Sequence, residues 1–83
     1  MLAAKYSNQA SDFLKKAEKT LALRIIAKIE LMEATPFPPQ AKKLEGSELF
    51  RIRVGDYRIL YEVDYPRGDL GVIKIDKRSR AYQ

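Results

Sequence analysis

The sequence predicts an α+β fold in which an N-terminal strand and an αα-hairpin precede a three-stranded antiparallel meander. Together the strands form a four-stranded twisted sheet with both helices on one face. Three observations carry this. Residues 50–61, FRIRVGDYRILY, alternate apolar and polar on both sides of Gly55-Asp56, the period of two strands around a hairpin turn. Between Ala10 and Ala34 the apolar side chains instead recur at three- and four-residue spacing, the period of a helix. Thr35-Pro36-Phe37-Pro38-Pro39 separates the two halves, because proline lacks an N–H and biases its predecessor toward extended geometry. With 83 residues the chain has room for one core, so a single domain over 1–83 is expected.

Leu2 to Tyr6 is short and apolar and reads as an edge strand. Ser7 or Asn8 can cap the helix that follows, since a short side-chain oxygen accepts an orphan N–H of the first turn. Ala10, Phe13, Leu14 and Ala17 share one face of that helix, with Lys15, Lys16, Glu18 and Lys19 largely on the other. Thr20 offers a second cap, with a tight joint near Lys19-Thr20. From Leu21 to Ala34, Leu21, Ile25, Ile29 and Met32 form a stripe widened by Leu23 and Ile26. Such stripes are most simply core-facing, ahead of a partner-binding groove. The proline run is a stiff connector within one domain rather than a ligand for a polyproline-binding module. Gln40 to Gly46, QAKKLEG, leads into the hairpin, and its Lys42-Lys43 pair reads equally as a solvated turn or as phosphate contacts.

A two-residue loop at Gly55-Asp56 pairs Val54 with Tyr57, Arg53 with Arg58, Ile52 with Ile59 and Phe50 with Tyr61. The apolar members fall on one face and Arg51, Arg53 and Arg58 on the other. Arg53 directly opposite Arg58 is destabilising by a few tenths to about 1 kcal/mol. A purely structural strand pair has little reason to keep that arrangement; a face built to hold an anion has one. Glu62-Val63-Asp64 completes this strand, Tyr65 to Asp69 is a loop by its Pro and Gly, and Leu70 to Ile75 is the last strand. Placing Ile73 and Ile75 toward the core puts Val72, Lys74, Asp76 and Arg78 on the arginine face. The tail from Asp76 to Gln83 is polar and basic and reads as a frayed end. Tyr82 stands out there as an aromatic without apolar companions.

Composition narrows the function classes. A hydrophobic content of 46% belongs to a globular chain. The net charge of +5, from 16 Lys+Arg against 11 Asp+Glu, favours polyanionic partners. Cysteine is absent, which excludes disulfides and thiolate chemistry. Histidine is absent too, removing the usual general acid–base and the commonest metal ligand, so no metal site and no cofactor are expected. No apolar run approaches the ~18 residues of a membrane span, and Met1-Leu2-Ala3-Ala4 is not a signal peptide, so no membrane and a cytoplasmic location are expected.

KKLEG, then RVGDYRILYE, then a strand ending in KRSRAY resemble the RelE/ParE superfamily of toxins from type II toxin–antitoxin pairs. The resemblance spans essentially the whole chain and is most specific in the RVGDYRILYE block and in the Arg78-x-x-x-Tyr82 ending. It implies a RelE-like, microbial-RNase-like fold. It also implies a ribosome-dependent endoribonuclease that cleaves mRNA in the A site, with the substrate's 2′-hydroxyl as nucleophile. The matching catalytic positions are Arg58, Arg78, Tyr82 and Arg53. Arg53 and Arg58 would hold phosphate oxygens, Arg78 would stabilise the phosphate or leaving oxygen, and Tyr82 would act as base or stacking surface. Arg51, Lys42, Lys43, Lys74, Lys77 and Arg80 would contact RNA.

The chain departs from the nuclease members at one point. They often carry lysines on the strand before the hairpin, where this chain has Arg51 and Arg53. Guanidinium stays protonated, so the base is open between Tyr82, Glu62 and a lysine such as Lys43. Two other readings stand beside this one: a ParE-type inhibitor of DNA gyrase, and a basic domain that binds RNA without cutting it. Either toxin reading implies a cognate RelB-like antitoxin as partner.

Overall fold

The computed structural model describes residues 1–77. The elements run β1 (Ala3–Tyr6), α1 (Asn8–Lys16), α2 (Lys19–Ala34), β2 (Lys42–Lys43), β3 (Phe50–Val54), β4 (Tyr57–Asp64) and β5 (Asp69–Lys77). They build one sheet of order β1-β5-β4-β3-β2, with β1 parallel to β5 and every other pairing antiparallel. The expected class is thus correct, but the sheet has five strands rather than four. The added strand is Lys42–Lys43, which pairs with Arg51 and Phe50 instead of forming a solvated turn. Two residues are too few to display an alternation, so the sequence carries no sign of it.

Ser7 caps α1 and also ties it to the sheet. Its Oγ accepts from the Ala10 N–H at 3.0 Å and donates to the Ile73 carbonyl at 2.6 Å. In α2 the cap is Glu18, not Thr20; its carboxylate accepts from the Leu21 N–H at 3.2 Å. The helix begins at Lys19, so Thr20 already lies inside the first turn and the joint falls at Ala17-Glu18. Ile25, Ile29 and Met32 face the sheet, whereas Leu23 is 56% exposed. Two residues before Ile25, Leu23 lies about 200° around the helix and so cannot widen the core stripe.

The helix side of the sheet forms the core with Ile52, Val54, Ile59, Tyr61, Leu70, Val72 and Ile75. The hairpin register is the one expected from sequence, from Phe50↔Tyr61 to Val54↔Tyr57. Its turn has Gly55 at φ +61°, and no described non-glycine residue takes positive φ. A left-handed first turn residue followed by an ordinary second one belongs to the II′ class, which matches strand twist and admits glycine first.

In β5 the expected facing is wrong for half the strand. Leu60 pairs with Lys74 but Tyr61 with Val72, so Ile73 is an extra residue in a β-bulge. Val72 is therefore buried and Ile73 is 37% exposed, the reverse of the assignment made by extrapolating back from Ile75. The proline connector seals the end of the core. Tyr61 donates its hydroxyl to the Pro36 carbonyl at 2.6 Å, and the Phe37 ring packs on Phe50 with centroids 4.6 Å apart.

Candidate functional site

The face of the sheet opposite the helices gathers most of the basic residues expected to act together. Residues paired across a ladder share a face. Lys42, Arg51, Leu60 and Lys74 thus form one row across β2, β3, β4 and β5. At a strand spacing of about 4.8 Å this row spans roughly 14 Å. The neighbouring row is Arg53, Arg58 and Asp76. Glu62 follows, opposite Gly71, where an added Cβ would meet the Glu62 Cγ at 3.3 Å. Ile73 is close to Gly71 on this side, because the bulge turns it outward.

Arg58 is held more firmly than its neighbours. Its Nε–H donates to Asp76 Oδ1 at 2.9 Å and its Nη2 to Oδ2 at 3.4 Å, with side-chain exposures of 26% and 25%. Lys74 Nζ lies 3.8 Å from the same carboxylate. Arg53, across the ladder from Arg58, is exposed, and Arg51 is half-buried. Like charges are thus held side by side along two adjoining rows, with one carboxylate at the end of one of them. Such an arrangement offers planar, multidentate donors to a phosphate.

The structure does not bring every expected residue to this face. Lys43 pairs with Phe50, and Lys77 pairs with Tyr57, so both belong to positions on the helix side. Alternation is the reason: each is one residue from a position on the open face. Arg78, Arg80 and Tyr82 lie outside the described residues. Glu62 is on the open face and exposed.

Tyr6, Tyr57 and Tyr61 are turned toward the helices. Tyr57 meets Phe13 edge-on with centroids 5.6 Å apart. Burial pushes the Tyr61 hydroxyl up to about 12, and burial with Glu33 and Glu30 nearby raises that of Tyr6. Neither phenol is suited to give up a proton near neutral pH. Among the described residues no group of three or more His, Cys, Asp or Glu side chains is placed to hold a metal ion. No helix among them is long and apolar enough to cross a membrane.

Two contributors escaped the sequence reading. Asp76 was placed on the correct face, but its pairing with Arg58 carried no signal until the register of β4 and β5 was known. Gln9 was missed altogether: its Nε2 donates to the Ile75 carbonyl at 2.8 Å and its Oε1 accepts from the Ile75 N–H at 2.9 Å. A polar residue in a first helical turn gives no hint of such a partner.

A mixed sheet with two helices on one side is the architecture of the RelE/ParE toxin superfamily, and the similarity to known proteins agrees. Residues 4–82 match the family described as ParE toxin of type II toxin–antitoxin system, parDE, and the chain belongs to it. Among solved structures, it is similar to the archaeal RelE–RelB complex from Pyrococcus horikoshii. There the identity is 28% and the TM-score 0.83, covering 95% of this chain and 97% of that one. It shares the fold of the toxin in the intact Escherichia coli RelBE complex, at 20% identity and TM-score 0.83, with coverages of 96% and 100%. It shares it too with the YoeB/ParE toxin from Agrobacterium tumefaciens, at 19% identity and TM-score 0.79, with coverages of 94% and 100%. No curated protein matches the sequence.

Proposed function

We propose that this toxin is a ribosome-dependent endoribonuclease that cleaves mRNA in the A site. The observation that carries the reading is the Arg53–Arg58 pair, held in direct cross-strand register on the open face beside the Lys42–Arg51–Lys74 row. A like-charge pair costs stability unless an anion sits over it. The 28% identity to the archaeal RelE chain adds to it.

In the proposed reaction the 2′-oxygen bonds to phosphorus as the bond to the 5′-oxygen breaks. The products are a 2′,3′-cyclic phosphate and a 5′-hydroxyl. One proton leaves the 2′-hydroxyl for a base and one reaches the departing oxygen. Arg53 and Arg58 stabilise the charge that builds on the phosphorane oxygens, the electrostatic role that dominates most such catalysis. Arg78 and Tyr82 are assigned to the leaving oxygen and to proton transfer or base stacking. Of the other candidate bases, Glu62 shares the open face, whereas Lys43 occupies a helix-side position. The cytoplasm, where translation runs, is the location this implies. The partner is a RelB-like antitoxin, as in the complexes of the similar toxins.

Mapping mRNA ends after brief induction, wild type beside Arg78→Ala, tests this. Codon-phased cuts within translated regions, lost in Arg78→Ala, are expected. Growth arrest with intact mRNA overturns the reading. The family match to ParE toxins favours gyrase inhibition as the second reading in that event. Toxicity that survives both Arg58→Ala and Tyr82→Phe points the same way.

A further inference from the structure

Two ion pairs of the described surface differ sharply in setting. Arg67 and Asp64 meet at 3.7 Å with side-chain exposures of 78% and 46%, a solvated pair that contributes little. Arg58 and Asp76 meet at 2.9 Å with about three-quarters of each side chain out of water. Their contact is side-on, through Nε and Nη2, and the two residues are direct cross-strand partners. On its other flank Arg58 faces Arg53, which repels it, so the carboxylate draws the guanidinium toward β5 and away from Arg53. The same carboxylate reaches Lys74 at 3.8 Å.

A carboxylate beside Arg58 on a face that would bind phosphate works against affinity for a polyanion. Its presence is reasonable where it fixes the direction of a cation rather than adding to the field, since a preorganised donor stabilises a transition state with no reorganisation at the moment of reaction. We propose that Asp76 is a positioning residue, whose carboxylate holds Arg58 side-on across β4 and β5 so that its guanidinium meets the scissile phosphate in one fixed orientation. This rests on the ribonuclease reading above.

The test is single-turnover cleavage of mRNA on programmed ribosomes as toxin concentration is varied, for wild type, Asp76→Ala, Asp76→Asn and Arg58→Ala. The pair Asp76→Ala/Arg58→Ala is included, and folding of each is checked by circular dichroism. Asp76→Ala lowers the rate at saturation by about 10- to 100-fold, the scale of a misplaced catalytic group. The half-saturating concentration stays the same or falls, because one negative charge has left the face. Asp76→Asn, which keeps the acceptor, loses less. Adding Arg58→Ala to Asp76→Ala costs little more, because the aim of Arg58 is already lost.

A merely structural role raises the half-saturating concentration by depleting folded toxin and leaves the saturated rate alone. A masking role makes Asp76→Ala faster than wild type. Either result overturns the proposal while the nuclease reading stands. Wild type that cuts nothing on ribosomes overturns both.

Discussion

Gln9 grips Ile75 by both of its backbone polar groups, donating to the carbonyl at 2.8 Å and accepting from the N–H at 2.9 Å. The pairing of β1 with β5 ends at Tyr6↔Val72, while β5 runs on to Lys77. Ser7 and Gln9 take over where the short strand stops, the hydroxyl satisfying Ile73 and the amide satisfying Ile75. Lys74 and Asp76, the residues flanking Ile75, stand on the cationic face. The helix N-terminus therefore fixes the backbone that carries part of the candidate site.

Gln9→Ala is expected to leave the Ile75 N–H and carbonyl unpaired and to cost about 1–3 kcal/mol. Gln9→Glu keeps an acceptor for the N–H but sets a carboxylate oxygen against the carbonyl, so it falls between wild type and alanine at neutral pH. Urea denaturation gives the ranking. Equal stability of all three proteins excludes a role for this clamp.

Tyr61 connects the sheet to the proline segment through its 2.6 Å bond to the Pro36 carbonyl. Tyr61→Phe removes the donor and is expected to cost about 1 kcal/mol at pH 7. The pH dependence has a definite sign. The folded-state pKa is raised to about 12 by burial. Between its unfolded value near ~10 and that folded value, the unfolded chain releases a proton that the folded one keeps. Wild type accordingly loses on the order of 2 kcal/mol from this residue as pH rises through that window. Tyr61→Phe lacks that component, so the difference in stability between the two shrinks and then reverses above pH ~10. Parallel curves for the two proteins over the alkaline range exclude the assignment.

Legibility in the sequence followed the strength of each local signal. The hairpin was readable residue by residue because two alternating runs flank a glycine-led turn, and register in such a pair is fixed by the turn. The β5 facing was not. Val72 and Ile73 are adjacent and both apolar, so alternation extends equally well from either, and the bulge that decides between them shows only in the pairing with β4. The same limit hid the helix-side positions of Lys43 and Lys77, since a one-residue offset in a strand exchanges faces. Charge on the open face was legible in Arg51, Arg53 and Arg58. The interaction that orients Arg58 was not, because it joins residues 18 apart in sequence.

Arg53 and Arg58 face each other across the hairpin with the same charge, and only Arg58 is a direct cross-strand partner of Asp76. Arg53→Gln removes the repulsion while keeping a long polar side chain. Stability is expected to rise by a few tenths to about 1 kcal/mol. Under the ribonuclease reading, toxicity and mRNA cleavage fall in the same variant. Opposite signs for stability and activity identify a charge kept for function. A variant that is both less stable and fully toxic contradicts this account of the pair.

The Lys42–Arg51–Lys74 row makes a separate and quantitative prediction for RNA binding. Each phosphate contact that releases a counterion contributes about 0.7 to the slope of log affinity against log salt on a single strand. Replacing Lys42, Arg51 and Lys74 singly with alanine is therefore expected to flatten the slope by about 0.7 each time, and additively in combination. Lys43→Ala and Lys77→Ala, at helix-side positions, are expected to leave it nearly unchanged. Fluorescence anisotropy with a labelled single-stranded RNA oligonucleotide over a salt series provides the slopes. Equal flattening by all five substitutions indicates a diffuse field of net charge with no track across the open face. A selective effect of Lys42, Arg51 and Lys74 places the backbone of the bound strand along that row, perpendicular to the β-strands and beside the Arg53–Arg58 pair.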